Sequence, residues 1–211
     1  MKSRPINLKP WEARAFAIGN KTRITRVVKQ QPPEGSTLYV GNYFPVVVGR
    51  DGEQRPATRE AYGVWSEDGE YACKSPFGQP GDKLWGRETF RLDFDIRIEY
   101  DKLTRSTWQL AYGADEPELR KVNWRPSIHM PRWASRITFE TTSIAVKQVR
   151  DITEAEAMAC GVERIEISPR EIDGIAVHPM TGTYVDAFHD WYQKQYGDAH
   201  WAWFASVKGA E

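Results

Sequence analysis

The stretch from residue 136 to residue 149, RITFETTSIAVKQV, is the longest strand-like segment of the chain and constrains its fold most. Ile137 and Phe139 alternate with polar residues, as in a β-strand that buries one face. The alternation resumes at Ile144 and Val146 in the opposite phase. A change of phase inside one strand predicts a β-bulge, a feature that bends strands and is common at the rims of barrels.

Shorter segments predict the rest of an α+β fold. Several have strand-like composition, and three have helical spacing or capping signals. The predicted strands lie near residues 23–29, 37–48, 83–92, 96–101, 107–112 and 200–208, and the predicted helices near 10–18, 153–160 and 184–195. Many strands, few helices and a bulge favour a small barrel with helices at its ends.

The composition limits the class of protein. Hydrophobic residues make up 40% of the 211 residues and charged residues 27%, which is typical of a globular chain. Cys73 and Cys160 lie far apart and the four histidines lack metal-ligand spacing, so we expect no disulfide scaffold and no metal site. No GxGxxG, HExxH or GxSxG motif is present, and we expect no cofactor. The polar N-terminus, and the lack of any run near 18 apolar residues, predict a cytoplasmic protein without membrane contact.

The net charge of zero hides two basic segments. Residues 1–30 contain eight lysines and arginines and one acidic residue, and residues 120–150 contain seven and one. If the two segments meet in space they form a positive face, which attracts polyanions in a salt-dependent way. If they lie on opposite sides of the molecule, they are ordinary solvated charge.

The first candidate site is the turn GNKTRITR, residues 19–26. Its hydroxyl and cationic side chains could bind phosphate groups. Lys21 could also be catalytic if burial lowered its pKa. The alternative interpretation is a solvated basic turn. The candidate residues are Lys21, Thr22, Arg23 and Arg26.

The second candidate site is WRPSIHMPRWASR, residues 124–136. Pro126 and Pro131 predict a stiff, extended segment, whose arginines could contact phosphates while Trp133 stacks on a base. Alternatively, the tryptophans belong to the core, the histidine bonds a carbonyl and the arginines pair with carboxylates. The candidates for contact with nucleic acid are His129, Arg132, Trp133 and Arg136.

The third candidate site is GDKLWGRET, where Arg87 and Glu88 are adjacent. Adjacent strand residues point to opposite faces, so we expect only one of the two to face a cavity. Glu88 could accept a hydrogen bond from the amino group of a base, or it could neutralise a buried arginine. Both interpretations stay open at this point.

Five stretches in order resemble the ASCH-domain proteins of phages and prophages. They are GNKTRITRVVKQQP, CKSPFGQPGDKLWGRET, WRPSIHMPRWASRITFE, DITEAEAMACGV and HWAWFASVK. The resemblance implies a single PUA-like domain over residues 1–211, a small bent β-barrel with a few helices packed at its mouth, with insertions at about 33–72, 92–123 and 163–183. It also implies that single-stranded RNA or a modified nucleotide binds in a basic cleft beside the barrel, which is our leading expectation.

Some ASCH proteins hydrolyse N4-acetylcytidine, and ribonuclease activity is also attributed to the family. The amidohydrolases resemble this chain at a turn with a catalytic lysine, which falls on Lys21. The position of their catalytic threonine is occupied here by Ile24. The position of their catalytic glutamate falls at or next to Cys160, so the catalytic pattern is incomplete in this chain. Thr25 is the nearest substitute for the hydroxyl, with Thr22 and Glu163 also close in sequence. The remaining alternative is a phage module that binds a host protein, in which the insertions would carry the function and the Trp-rich C-terminus could form a partner surface.

Overall fold

The computed structural model describes residues 2–48, 50, 52–99, 102–116, 123–163, 170–172, 175–177 and 182–209. The strands are β1 Ser3–Asn7, β2 Arg23–Val27, β3 Leu38–Tyr43, β4 Val46–Val48, β5 Gln54–Pro56, β6 Ala61–Ser66, β7 Ala72–Lys74, β8 Lys83–Arg87, β9 Phe90–Glu99, β10 Lys102–Tyr112, β11 Thr138–Gln148, β12 Arg170–Ile172, β13 Ile175–Val177 and β14 Trp201–Gly209. The helices are α1 Pro10–Ala17, α2 Glu154–Ala159 and α3 Tyr184–Tyr196. The predicted α+β class is confirmed.

A five-stranded sheet in the order β1-β8-β11-β14-β2 forms the centre of the fold. β1 runs parallel to β8, and the other neighbouring pairs are antiparallel. Smaller sheets are formed by β3-β6-β7, β4-β5, β9-β10 and β12-β13. Among the described residues β1 and β2 do not pair, so the central sheet is open there and the closed barrel stays a prediction.

The bulge predicted in β11 is confirmed. The register with β14 shifts between Thr141 and Ser143, which leaves Thr142 as the extra residue. Because of this shift, Phe139 and Ile144 are both buried in the main core, although one position is odd and the other even. The bulge is therefore what lets one strand keep its apolar side chains on the core through a bend.

β14 has a core on both faces. Trp203, Ala205 and Val207 alternate along this strand, and all three lie in the main core. On the other face, Ala202 and Phe204 pack with residues of α2 and α3 in a second core. A strand buried on both faces has a near-continuous apolar sequence, and WAWFASV fits that description.

The helix boundaries agree with the capping signals. Pro10 is the first residue of α1, and Gly19 follows that helix with a φ of 79°. Thr153 Oγ1 accepts a hydrogen bond from the backbone N–H of Glu156, and the Glu156 carboxylate accepts from the N–H of Thr153, as the capping box predicts. None of the described helices is both long enough and apolar enough to cross a membrane.

Three local predictions were wrong in detail. The strand predicted at 83–92 divides into β8 and β9 around Glu88, and residues 102–106, which were expected to lie between two strands, belong to β10. The segment 124–136 is not simply extended, since it contains short 3₁₀ turns at Ser127–His129 and Arg132–Ala134. Pro126 and Pro131 themselves have an extended ψ, and each lies directly before a 3₁₀ turn. Each proline therefore extends the backbone at its own position and not over the whole segment.

Candidate functional site

Four residues form a cationic and aromatic surface, which we call the Arg–Trp surface: Arg132 and Trp133 are exposed, and Trp85 and Arg87 are half-buried. β8 carries Trp85 and Arg87, and the second 3₁₀ turn carries the others. The guanidinium carbons of Arg87 and Arg132 lie 5.8 Å and 5.6 Å from the centre of the Trp85 ring. Trp133 is 70% exposed, so its ring is available for stacking.

The arginines of the Arg–Trp surface keep an uncompensated charge. Arg87 donates to Asn7 Oδ1 at 2.8 Å and to the Ile128 carbonyl at 3.1 Å. Among the described residues, Arg132 donates one hydrogen bond, to Thr138 Oγ1 at a long distance of 3.3 Å. Within the described ranges, the contacts of these two guanidinium groups are with Asn7, Ile128, Thr138 and Trp85, and none is with a carboxylate. His129 is exposed on the same segment.

The two basic segments are connected through Arg87, which belongs to neither of them and donates both to Asn7 Oδ1 and to the Ile128 carbonyl. Arg26 Nη2 donates to the Asn7 carbonyl at 2.6 Å, while Arg87 donates to the side chain of the same residue. However, Arg26 Nη1 also lies 3.0 Å from Glu12 Oε1, a carboxylate that is 2% exposed. The structure therefore brings the segments together, but the contribution of Arg26 to the surface charge is compensated.

Two further candidate arginines are also held by acids. Arg23 Nη1 lies 2.8 Å from Glu156 Oε1. Arg136 lies 2.9 Å from Glu88 and 2.6 Å from Asp115. Burial alone would lower the pKa of Arg136, but its bonds to the two carboxylates outweigh burial and raise that pKa. Glu88 uses both carboxylate oxygens on Arg136, which is the neutralising role that the sequence left open.

Lys21 lies in a buried cluster beneath α1. Its side chain has no exposed area, so it does not reach a phosphate at the surface. Nζ donates to the Cys160 carbonyl, lies 3.9 Å from Glu12 Oε1 and lies 4.9 Å from the centre of the Trp11 ring. Burial lowers the pKa of Lys21, and the Glu12 carboxylate opposes this in part.

Gly161 makes room for this lysine. A Cβ atom at that position would lie 2.8 Å from Lys21 Cβ, and the glycine adopts a φ of 72°, which other residues rarely adopt. Because Gly161, just after α2, has no side chain, the aliphatic part of Lys21 can pack against the end of that helix.

Thr25 and Cys160 complete the cluster. Both are buried, and Thr25 Oγ1 lies 3.3 Å from Cys160 Sγ. Ile24, where the amidohydrolase threonine falls, lies fully buried in the main core instead. Burial raises the pKa of the Cys160 thiol, which favours its protonated form. Lys21 and Thr25 therefore meet at Cys160, the position at or next to the expected glutamate.

A groove of about 1210 Å³ runs between α1, α2 and α3 beside this cluster. Trp11 lines the groove and contacts Lys21 Nζ, and the Trp191 ring lies edge-on to it at 5.5 Å. Thr22 and Glu163 also line the groove. Sequence reasoning missed both Trp11 and Glu12 as site residues. The signal for Glu12 was its position as the one acid among residues 1–30.

Comparisons with known proteins found no matching family model, no matching curated protein and no matching solved structure. In the part of the chain that the structure describes, no three His, Cys, Asp or Glu residues are grouped to hold a metal ion.

Trp203, in the C-terminal strand considered as a partner surface, is 1% exposed. The host-protein interpretation stays a prediction, but that tryptophan does not contribute to it.

Proposed function

We propose that the protein binds single-stranded nucleic acid, RNA in particular, on the Arg–Trp surface. The observation that carries the proposal is the placement of Arg87 and Arg132 against Trp85 without a carboxylate partner, beside the exposed Trp133. Single strands are held by cations that follow the backbone and by aromatic rings on which bases stack. This surface offers both kinds of contact.

The proposal gives different roles to the candidate arginines. Arg87 and Arg132 contact phosphates, and Trp133 stacks on a base. Arg26 and Arg136 stabilise the fold and do not contact the ligand, because their guanidinium groups already bind Glu12 and Glu88. A guanidinium that must first leave a buried carboxylate would lose that interaction, which opposes its use on a ligand.

We extend the proposal to the ASCH family and its PUA-like fold. Five ordered sequence stretches support it, as does the α+β architecture. The bulge in β11 bends the central sheet, which a barrel of this kind requires. A modified nucleotide is then a natural alternative to an unmodified strand.

The test is the affinity for a labelled single-stranded RNA, and for the matching DNA, as a function of salt. Each phosphate contact adds about 0.7 to the magnitude of the slope of log affinity against log salt. Replacing both arginines, Arg87→Gln with Arg132→Gln, should therefore reduce that magnitude by about 1.4. The matched control replaces two exposed cations that have acidic partners, Arg150→Gln with Lys194→Gln.

The control removes the same charge from elsewhere on the surface, so a general electrostatic effect would appear in both double variants. Equal effects of the two would overturn the assignment to the Arg–Trp surface. A salt-independent affinity, or no binding at about 50 mM salt, would overturn nucleic-acid binding itself.

The buried lysine cluster supports a second candidate, an amidohydrolase acting on N4-acetylcytidine. A lysine with a lowered pKa is neutral in a larger fraction of molecules, and a neutral amine can accept a proton or attack a carbonyl. Glu12 supplies a carboxylate close to Lys21 Nζ, and the adjacent groove is large enough for a nucleoside. A substrate must displace the Trp11 ring or its neighbours to reach Nζ, because the lysine has no exposed area.

This candidate is tested by following conversion of N4-acetylcytidine to cytidine and acetate by chromatography. Lys21→Met should abolish conversion, whereas Lys208→Met, at a 61% exposed lysine, should leave it unchanged. Circular dichroism would show that both variants are folded. Turnover that survives Lys21→Met would exclude the role of this lysine without affecting the RNA-binding proposal.

A further inference from the structure

A small cavity of about 130 Å³ lies at the start of β1, away from the Arg–Trp surface. Arg4 lies three residues before Asn7 on this strand, which corresponds to about 10 Å at the usual rise per residue. The cavity is bounded by β1, by the β6–β7 region and by the turn before β8. The lining residues that matter are Lys2, Arg4, Tyr62, Lys74, Gly78 and Asp82.

Arg4 directs an unsatisfied donor into this region. Its Nε atom is buried, and no atom of the described residues accepts a hydrogen bond from it. The nearest carboxylate oxygen, Asp82 Oδ2, is 3.9 Å away. The Asp82 oxygens instead accept from the backbone N–H groups of Lys2, at 2.8 Å, and Gln79, at 3.3 Å. A buried donor without an acceptor is costly, so this nitrogen indicates an acceptor that the chain itself does not supply.

Gly78 keeps the space beside Arg4 open. A Cβ atom at this position would lie 2.4 Å from Asp82 Oδ2 and 3.0 Å from Arg4 Nε. The backbone also has a φ of 83°, which favours glycine. Any side chain here would fill the space in front of the unsatisfied nitrogen.

The charge and size of the cavity fit a compact anion. Three cationic residues line it, Lys2, Arg4 and Lys74, against two acidic ones, Glu60 and Asp82. The Asp82 carboxylate is already bonded by backbone donors, which reduces its repulsion of a second anion. A single water needs about 15 Å³ of such space, so this cavity has room for a polyatomic ion.

We propose that this cavity binds a phosphate group, with Arg4 Nε and the ammonium groups of Lys2 and Lys74 as donors. Tyr62 adds a hydroxyl donor at the wall, and burial raises its pKa, so that the phenol keeps its proton. The phosphate belongs either to the free inorganic ion or to the end of a nucleotide. This site is independent of the proposed RNA surface, because it uses other residues at the other end of β1.

The experiment is isothermal titration calorimetry with inorganic phosphate at constant ionic strength, using chloride as the balancing anion. Arg4→Gln should weaken binding at least tenfold, and Lys74→Gln, at an exposed position, at least threefold. The matched control is Arg150→Gln, at a 78% exposed arginine, which should bind like the wild type. If Arg4→Gln fails to fold, Lys74→Gln still tests the site.

Two further arms identify the source of the phosphate group. A nucleoside 5′-monophosphate and the corresponding nucleoside are titrated in the same buffer. Binding of the monophosphate but not of the nucleoside supports the site, whether or not the free ion binds as well. Binding that is unchanged by Arg4→Gln and Lys74→Gln, or no binding of either phosphate species, would overturn it. Arg87→Gln with Arg132→Gln should leave phosphate binding unchanged, so failure here and failure of the RNA proposal can be told apart.

Discussion

Arg132 and Arg136 lie four positions apart in the same basic segment, but their surroundings differ. Arg132 is exposed, lies against Trp85 and has no carboxylate partner in the described part of the chain. Arg136 binds Glu88 and Asp115 and lies 4.0 Å from the centre of the Tyr112 ring. A basic segment is therefore not in itself a basic surface, because a nearby carboxylate cancels the charge of the cation that it binds.

The same division holds for the first basic segment. Lys21, Arg23 and Arg26 all lie close to acidic side chains, those of Glu12 and Glu156. These cations support the fold, whereas the unpaired arginines remain available for a ligand. Four experiments test whether the paired cations support the fold and the unpaired ones bind a ligand, and the first has the largest expected effect.

Glu88→Ala should destabilise the protein by about 3 kcal/mol, because it leaves a partly buried arginine without its buried partner. The measurement is urea unfolding followed by circular dichroism. The control is Glu140→Ala, at a surface pair with Lys208, where the loss should be about 0.5 kcal/mol or less. Similar losses in the two variants would show that the paired arginine does not support the fold.

Trp133→Ala should weaken binding of single-stranded RNA about tenfold, since one stacked base contributes about 1–3 kcal/mol. Stability should not change, because the ring is 70% exposed. Fluorescence anisotropy with a labelled oligonucleotide measures the affinity. Phe44→Ala, at another exposed aromatic residue, serves as the control and should bind normally. Unchanged affinity in Trp133→Ala would remove the aromatic half of the Arg–Trp surface.

Arg132→Gln and Arg136→Gln compare the two neighbours directly. Arg132→Gln should reduce the magnitude of the salt slope for RNA binding by about 0.7 and leave the free energy of unfolding unchanged. Arg136→Gln should have the opposite profile, with lower stability and an unchanged slope. The reverse result would mean that Arg136 leaves its carboxylates to bind the ligand.

Glu156→Gln should produce the smallest effect, which is a change in pH dependence. Burial alone would raise the pKa of Glu156, but bonds from Lys147, Arg23 and the backbone of Thr153 outweigh it and hold the pKa at about 2. A carboxyl group with a lowered pKa stabilises the fold above its ordinary value of 4.5, and this stabilisation is lost as the pH falls towards 2. Urea midpoints at pH 5 and pH 2.5 should therefore differ less in the variant than in the wild type. An equal difference would mean that these cations do not stabilise the Glu156 carboxylate.

Patterns carried by neighbouring residues could be read from the sequence. The bulge in β11 follows from a phase change over a few positions, and the start of α2 follows from Thr153 and Glu156. The 3₁₀ turns at 127–134 were missed because proline restricts φ at its own position and does not fix the residues after it. The distinction between Arg132 and Arg136 could not be predicted, because Glu88 is 48 positions away from Arg136 and Asp115 is 21.

From the sequence alone, β2, β11, β14, the helix boundaries, the bulge in β11 and the supply of basic residues could be predicted, because these depend on backbone geometry and on short-range periodicity. β1, β5, β6 and β7 were not predicted. Which cations are buried, which are neutralised and which face solvent depends on the tertiary structure. The physical reason is that the electrostatic state of a side chain depends on desolvation and on charges within a few ångströms. In this protein those charges come from other elements of the fold: Glu12 of α1 for Arg26, and Glu88, 48 positions away, for Arg136.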